Sequence, residues 1–293
     1  MTAPTTNALG VHALVWAGNT SDQEVRHAVD QTARAGYDIL ELSLHDLDSM
    51  DLGVARTALD SAGIQPVCSR GLAFDADVSS DDAAVVARGA ELLQKSLAAT
   101  HELGGSFFTG ALYSALGKYP GPLTRAGRAN AVSVIRELAE QASLWDMRLG
   151  LEVCNRYETN VLNTARDALR MADDIGADNV YIHLDTYHMN IEEDDVVRPV
   201  VEVGDRLGYV HVGENHRGYL GSGHFDFGAF FHALADVGYL GPVTFESFSS
   251  AVVARGLSND LAVWRDLWED GFELACKARQ FLAAHIDASR SHA

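Results

Sequence analysis

Four residues, Glu152, Asp185, His211 and Glu246, combine chemistry with spacing. Each lies in a short apolar run: LGLEVCN, VYIHLDTYH, LGYVHVGEN and PVTFESF. In an extended strand, successive side chains point to opposite faces. Leu149, Leu151 and Val153 share one face of the first run and leave Glu152 on the other. Val180, Ile182 and Leu184 likewise leave His183 and Asp185, Val210 and Val212 leave His211, and Val243 and Phe245 leave Glu246. An unpaired buried carboxylate is costly, so three beside one imidazole call for protons, cationic partners or a metal ion. Any one of these residues alone reads as a hydrogen-bonded core side chain. Recurrence at matching depth on four successive strands favours a metal. Three carboxylates and one histidine are mostly hard donors, which suit Mn²⁺ or Mg²⁺, with Co²⁺ admissible, over a structural zinc.

Other polar and aromatic residues follow strand ends, where loops bind substrate. Glu158 and Arg156 lie in NRYET, His188 in DTYHMN and Arg217 in GENHRGY. Glu41 shares parity with Ser43 and reads either as a further polar contact or as an ion-pair member inside the sheet. Trp16, Tyr113 and Phe248 are candidates to wall a sugar-sized pocket, and His183 reads as a satisfied core histidine.

Eight strand-like runs supply the positions: Val11 to Ala17, Ile39 to Leu44, Gln65 to Gly71, Ser106 to Tyr113, Arg148 to Asn155, Val180 to Met189, Leu207 to Asn215 and Pro242 to Ser249. Helix-like stretches separate them. Ser21-Asp22-Gln23-Glu24 offers a cap for a run ending at Gly36, and Asn163 or Thr164 starts another that stops near Gly176. Ala-rich stretches cover Ala83 to Leu103, Thr124 to Trp145, Phe227 to Val237 and Leu257 to Ala284. Gly36, Gly63, Gly104, Gly176 and Gly238 suit helix C-caps ahead of the next strand. Strands alternating with helices imply right-handed βαβ units, and eight of them predict a single (β/α)8 TIM barrel domain over residues 1–293, with its active site at the C-terminal mouth of the strands. The rival open dinucleotide-binding sheet needs a glycine-rich turn after its first strand, where Trp16-Ala17-Gly18-Asn19 stands instead. Gly218-Tyr219-Leu220-Gly221-Ser222-Gly223 reads as a flexible loop over the mouth.

Composition narrows the function classes. Acidic residues outnumber basic ones 41 to 22, and the net charge of −19 argues against a nucleic-acid partner. No run of about 18 apolar residues could span a bilayer. The start MTAPTTNALG lacks a secretory pattern, and Cys68, Cys154 and Cys276 form no CxxC pair. These features lead to the expectation of a cytoplasmic, reducing location.

The motifs Leu151-Glu152-Val153-Cys154-Asn155-Arg156-Tyr157-Glu158-Thr159-Asn160, His183-Leu184-Asp185-Thr186-Tyr187-His188-Met189-Asn190, His211-Val212-Gly213-Glu214-Asn215-His216-Arg217-Gly218 and Phe245-Glu246-Ser247-Phe248 closely resemble the ketose 3-epimerases. These are the D-tagatose, D-allulose (D-psicose) and L-ribulose 3-epimerases of the xylose-isomerase-like barrels, and the resemblance spans essentially the whole chain. It implies one divalent metal held by Glu152, Asp185, His211 and Glu246, with the two glutamates doubling as the acid/base pair. It also implies ketose contacts near O1 to O3 from Glu158, His188 and Arg217, and a homodimer or homotetramer. The amino-terminal half departs from the tagatose-type pattern at Cys68-Ser69-Arg70 and at Thr109 to Tyr113. The alternatives are an aldose–ketose isomerase on the same barrel and a non-catalytic sugar-binding barrel. A barrel endonuclease is disfavoured by the charge.

Overall fold

The computed structural model describes residues 6–291. Eight parallel strands close into a barrel in chain order: β1 (Leu9–His12), β2 (Ile39–Ser43), β3 (Gln65–Ser69), β4 (Phe107–Thr109), β5 (Arg148–Glu152), β6 (Val180–Asp185), β7 (Leu207–Val212) and β8 (Val243–Phe245). The ring is sealed by β1 against β8, with Leu9, Gly10 and Val11 facing Val243, Thr244 and Phe245. Gly10 is required there, because a Cβ would come within 2.3 Å of Thr244 Oγ1.

Among the described residues, ten helices connect and cover the strands: α1 (Asp22–Ala35), α2 (Leu52–Ala62), α3 (Ala83–Glu102), α4 (Arg125–Ser143), α5 (Ala165–Ile175), α6 (Thr186–Glu192), α7 (Arg198–Val203), α8 (Phe227–Asp236), α9 (Arg255–Asp260) and α10 (Gly271–Arg290). No helix among the described residues is long and apolar enough to cross a membrane. Thr164 caps α5 as expected, its Oγ1 accepting from Asp167 N–H at 3.3 Å. Ser21 does not cap α1 through the backbone; its hydroxyl donates to the Glu24 carboxylate at 2.6 Å. The five return-turn glycines all have positive φ, from 68° to 85°.

Alternation divides the core into two layers. Outward side chains such as Val11, Leu40, Leu151, Ile182 and Val210 pack with helix residues such as Leu59, Leu97 and Ile135. Inward, Ile39, Val67, Phe107 and Tyr209 form an apolar floor. Two residues further along their strands stand Glu41, Ser69, Thr109 and His211, so the barrel interior turns polar toward its C-terminal end.

All eight strands end before the runs that predicted them do, and four differences bear on the site. The first strand ends at His12, not at Ala17, and Ala13–Val15 form a 3₁₀ turn. The His12 ring fixes that turn by accepting from Leu14 N–H at 3.2 Å; an apolar run alone does not distinguish this from a strand. The sixth strand stops at Asp185, whose Oδ1 accepts from Tyr187 N–H at 2.8 Å and opens α6. The stretch from Leu257 to Ala284 is two helices, the second capped by Asp270 through the amides of Phe272 and Glu273. The glycine-rich segment is pinned: Glu214 Oε2 accepts from Gly221 N–H at 2.8 Å, and Asn215 Oδ1 from His224 N–H at 3.2 Å.

Candidate active site

The ends of β5, β6, β7 and β8 bring Glu152, Asp185, His211 and Glu246 together, with one ligand atom from each within 4.8 Å of the others. Register accounts for part of this, since Asp185 sits beside His211 and His211 beside Thr244, two residues before Glu246. The site opens into a cavity of about 710 Å³ lined by Glu152, His211 and Glu246 with His12, Ser69 and Phe248. That size suits a small molecule.

The electrostatics are those of crowded anions. Burial pushes Glu152 up to about 7, with Glu246 and Asp185 adding to the rise; burial and Glu246 push Asp185 up to about 7. Burial would also raise Glu246, but His211 and Arg217 hold it well below the usual carboxylate range. For His211, burial lowers, yet Glu41 and Glu246 raise the imidazole well above its ordinary value. The cluster draws positive charge from each group able to supply it.

A divalent cation fits this donor set. His211 Nε2 is taken up by Glu41 Oε2 at 2.6 Å, while its buried Nδ1 has no hydrogen-bond partner among the described residues. Nδ1 lies 3.5 Å from Glu152 Oε1 and 3.4 Å from Glu246 Oε1. Such separations are long for a hydrogen bond and leave the atom aimed at the space the carboxylates surround.

Three further residues border this cluster. His188, on α6, places Nε2 3.5 Å from Asp185 Oδ2 and 3.8 Å from Glu152 Oε1. Its Nδ1 accepts from the Asn155 amide N–H at 3.2 Å and lies 2.8 Å from Asn155 Nδ2, so Nε2 is left as the donor toward the site. Arg217 Nη1 donates to Glu246 Oε2 at 2.5 Å and to Asp185 Oδ2 at 3.4 Å. Its guanidinium stacks 3.7 Å over the Tyr187 ring and 4.8 Å from that of Phe248, and its backbone is left-handed at φ 61°. Glu158 accepts from Asn155 Nδ2 at 2.8 Å, and burial pushes it up to about 7. With Arg217 and Tyr187 it lines a side pocket of about 200 Å³ that adjoins the main cavity at Phe248.

The weaker candidates divide. Phe248 walls both cavities. Glu41 lines the floor of the main cavity and contacts His211. Trp16 is turned away: the strand has already ended, and the indole N–H donates to Thr32 Oγ1 on α1 at 3.0 Å. Tyr113 is fully buried and donates to the Glu152 carbonyl at 2.5 Å, so it braces that main chain instead of walling the cavity. Arg156 points outward into an ion pair with Glu192. His183 is only half satisfied, with Nδ1 2.9 Å from Thr109 Oγ1 and no partner for Nε2 among the described residues. Sequence reasoning missed His12, whose inward parity was hidden by placing the first strand too late. It also missed the orienting role of Asn155, for which no local pattern exists.

The profile of the xylose isomerase-like TIM barrel family matches residues 29–275. The chain is 49% identical to the L-ribulose 3-epimerase of Methylomonas sp., covering 93% of this chain and 96% of that one. It is 47% identical to the ketose 3-epimerase of Arthrobacter globiformis, covering 97% and 98%. The chain belongs to the ketose 3-epimerases. Like its relatives in this family, it is an enzyme of the isomerase class. The crystal structure of the Methylomonas D-allulose 3-epimerase in complex with D-allulose superimposes with a TM-score of 0.94 at 48% identity, over 96% of this chain and 98% of that one.

Proposed function

We propose that this chain epimerises free ketoses at C3, on pairs of the D-fructose/D-allulose, D-tagatose/D-sorbose or L-ribulose/L-xylulose type. Glu152 and Glu246 act as the acid/base pair beside one divalent ion, Mn²⁺ or Mg²⁺, within one barrel domain. The observation that carries this reading is the convergence of two glutamates, at the ends of β5 and β8, on one histidine and one aspartate, with both glutamates and the histidine lining the cavity.

Glu152, Asp185, His211 Nδ1 and Glu246 would hold the ion, which when bound supplies Lewis acidity toward a ketose carbonyl. The C3 proton of a ketose becomes removable when the adjacent carbonyl is polarised. One glutamate takes it, and the other delivers a proton to the opposite face, which inverts C3. Two carboxylates are needed because a single base returns its proton to the face it came from. His188 Nε2–H and the Arg217 guanidinium stand as preorganised donors for charge developing on the sugar oxygens. Glu158, which shares a pocket lining with Arg217, would contact the ketose near O1 to O3.

Incubation of a ketose panel in D₂O with Mn²⁺ or Mg²⁺, with and without chelator, tests the reading. The expected products carry deuterium at C3 and are ketose epimers. Aldose products would reassign the chain to aldose–ketose isomerisation, and absence of any exchange would reduce it to a sugar-binding barrel.

A further inference from the structure

Glu41 lies on β2, 170 residues from His211 in sequence, and is fully buried. An ionised side chain in that position needs a reason, since burial without compensation is costly. The two oxygens of Glu41 divide their contacts. Oε2 lies 2.6 Å from His211 Nε2 and accepts from Tyr209 Oη at 2.9 Å, while Tyr209 Oη is itself 2.6 Å from Thr244 Oγ1. Oε1 faces His12 Nε2 at 3.6 Å. Because His12 Nδ1 accepts from Leu14 N–H, it is His12 Nε2 that carries the hydrogen turned toward Glu41. Two donors from β7 thus converge on Oε2, while Oε1 has no hydrogen-bond partner among the described residues and is faced by His12 of β1.

The consequence falls on His211. A carboxylate accepts, so the hydrogen on the Glu41 side of the imidazole belongs to Nε2, and Nδ1 is the atom presented to Glu152 and Glu246. The ring is also held from its flanks: the His183 ring stands perpendicular to it with centroids 4.2 Å apart, and Tyr209 packs at 5.5 Å. Two rotamer choices, which edge and which nitrogen, are therefore settled before any ligand arrives. A carboxylate behind a ligating imidazole orients the ring and raises its basicity as a donor.

We propose that Glu41 is a positioning residue that fixes His211 with Nδ1 toward the carboxylate cluster, and that the affinity of the site for a divalent cation depends on it. Glu41 acts through His211 and touches neither Glu152 nor Glu246. The inference rests on the metal-site reading above.

The test is Mn²⁺ titration, followed by loss of the free-ion EPR signal, of chelator-stripped wild type, Glu41→Gln, Glu41→Ala, His211→Ala and the Glu41→Ala/His211→Ala double variant. Affinity should fall about 10- to 100-fold in Glu41→Ala. The loss should be smaller in Glu41→Gln, about threefold to tenfold, because an amide carbonyl still accepts from Nε2–H. With His211 already removed, Glu41→Ala should add less than about threefold, since the two residues act as one unit. In the Mg²⁺-loaded protein, a low-field imidazole N–H proton resonance should be present in wild type and lost in Glu41→Ala. Unchanged Mn²⁺ affinity in folded Glu41→Ala, or an equal loss whether or not His211 is present, overturns the proposal. Should Glu41→Ala fail to fold, Glu41→Gln carries the comparison, and unchanged affinity with an unchanged resonance overturns it there. Wild type that binds no Mn²⁺ would remove the metal-site reading itself. Binding that needs His211 but is indifferent to Glu41 would remove this inference alone.

Discussion

Strands β5 to β8 lead into three carboxylates and an imidazole packed within 4.8 Å, whereas β1 to β4 end in His12, Ser43, Ser69 and Thr109. One half of the barrel concentrates charge; the other ends in small or neutral groups. Yet the cavity is lined by both, with His12 and Ser69 sharing it with Glu152 and Glu246. Under the proposed function, the contrast would assign proton transfer and cation binding to the carboxyl-terminal half and shape to the amino-terminal half. The exceptions are Asp46 and Arg70, which line the cavity just after β2 and β3, and Glu41, a charged residue of β2 whose contacts reach β7.

The largest effect expected from breaking this division is on the glutamates. Glu152→Gln or Glu246→Gln should lower the rate of C3 epimerisation by at least about 10²- to 10⁴-fold, measured by product formation under saturating Mn²⁺; near-normal turnover in either variant would remove the acid/base assignment. Chelation should come next. Saturation with about 100 times the dissociation constant of Mn²⁺ should stabilise the fold by about 2.7 kcal/mol over the stripped protein, read as a rise in Tm. At a Mn²⁺ concentration held fixed across the series, that difference should grow from about pH 6 to about pH 8, because Glu152 and Asp185, pushed up to about 7, and His211, raised above its ordinary value, must release protons to bind a cation. A pH-independent difference would contradict it.

A change on the other side of the cavity should be milder and of a different kind. Ser69→Ala removes one polar group from the wall, and should alter KM for one ketose relative to another by about twofold to tenfold while leaving kcat nearly unchanged. A large fall in kcat common to all ketoses would blur the division between the halves. The smallest effect belongs to the scaffold: Thr164→Ala deletes the α5 cap and should cost about 1 kcal/mol in urea unfolding without altering turnover.

Much of this was legible in sequence because alternation in a strand is local. Leu149, Leu151 and Val153 face the helices whatever the rest of the chain does, so Glu152 is forced inward; the same holds for Asp185, His211 and Glu246. Return-turn glycines are local too, since a left-handed backbone is what ends those helices. Trp16 and Tyr113 were not legible. Whether an aromatic side chain walls a cavity or packs elsewhere depends on where its strand stops, and β1 stops at His12 because that ring captures the Leu14 amide. The same strand boundary concealed His12 as a cavity residue.

The sequence by itself thus determined the eightfold alternation, the inward set of acids and the family. Only the tertiary structure decided what Glu41 does. Its parity left it either a polar contact or an ion-pair member, and closing the barrel brought β2 across the interior from β7, where Tyr209 and His211 supply its donors. Periodicity within a strand fixes which face a side chain takes, but the partner it meets there depends on the register and closure of all eight strands.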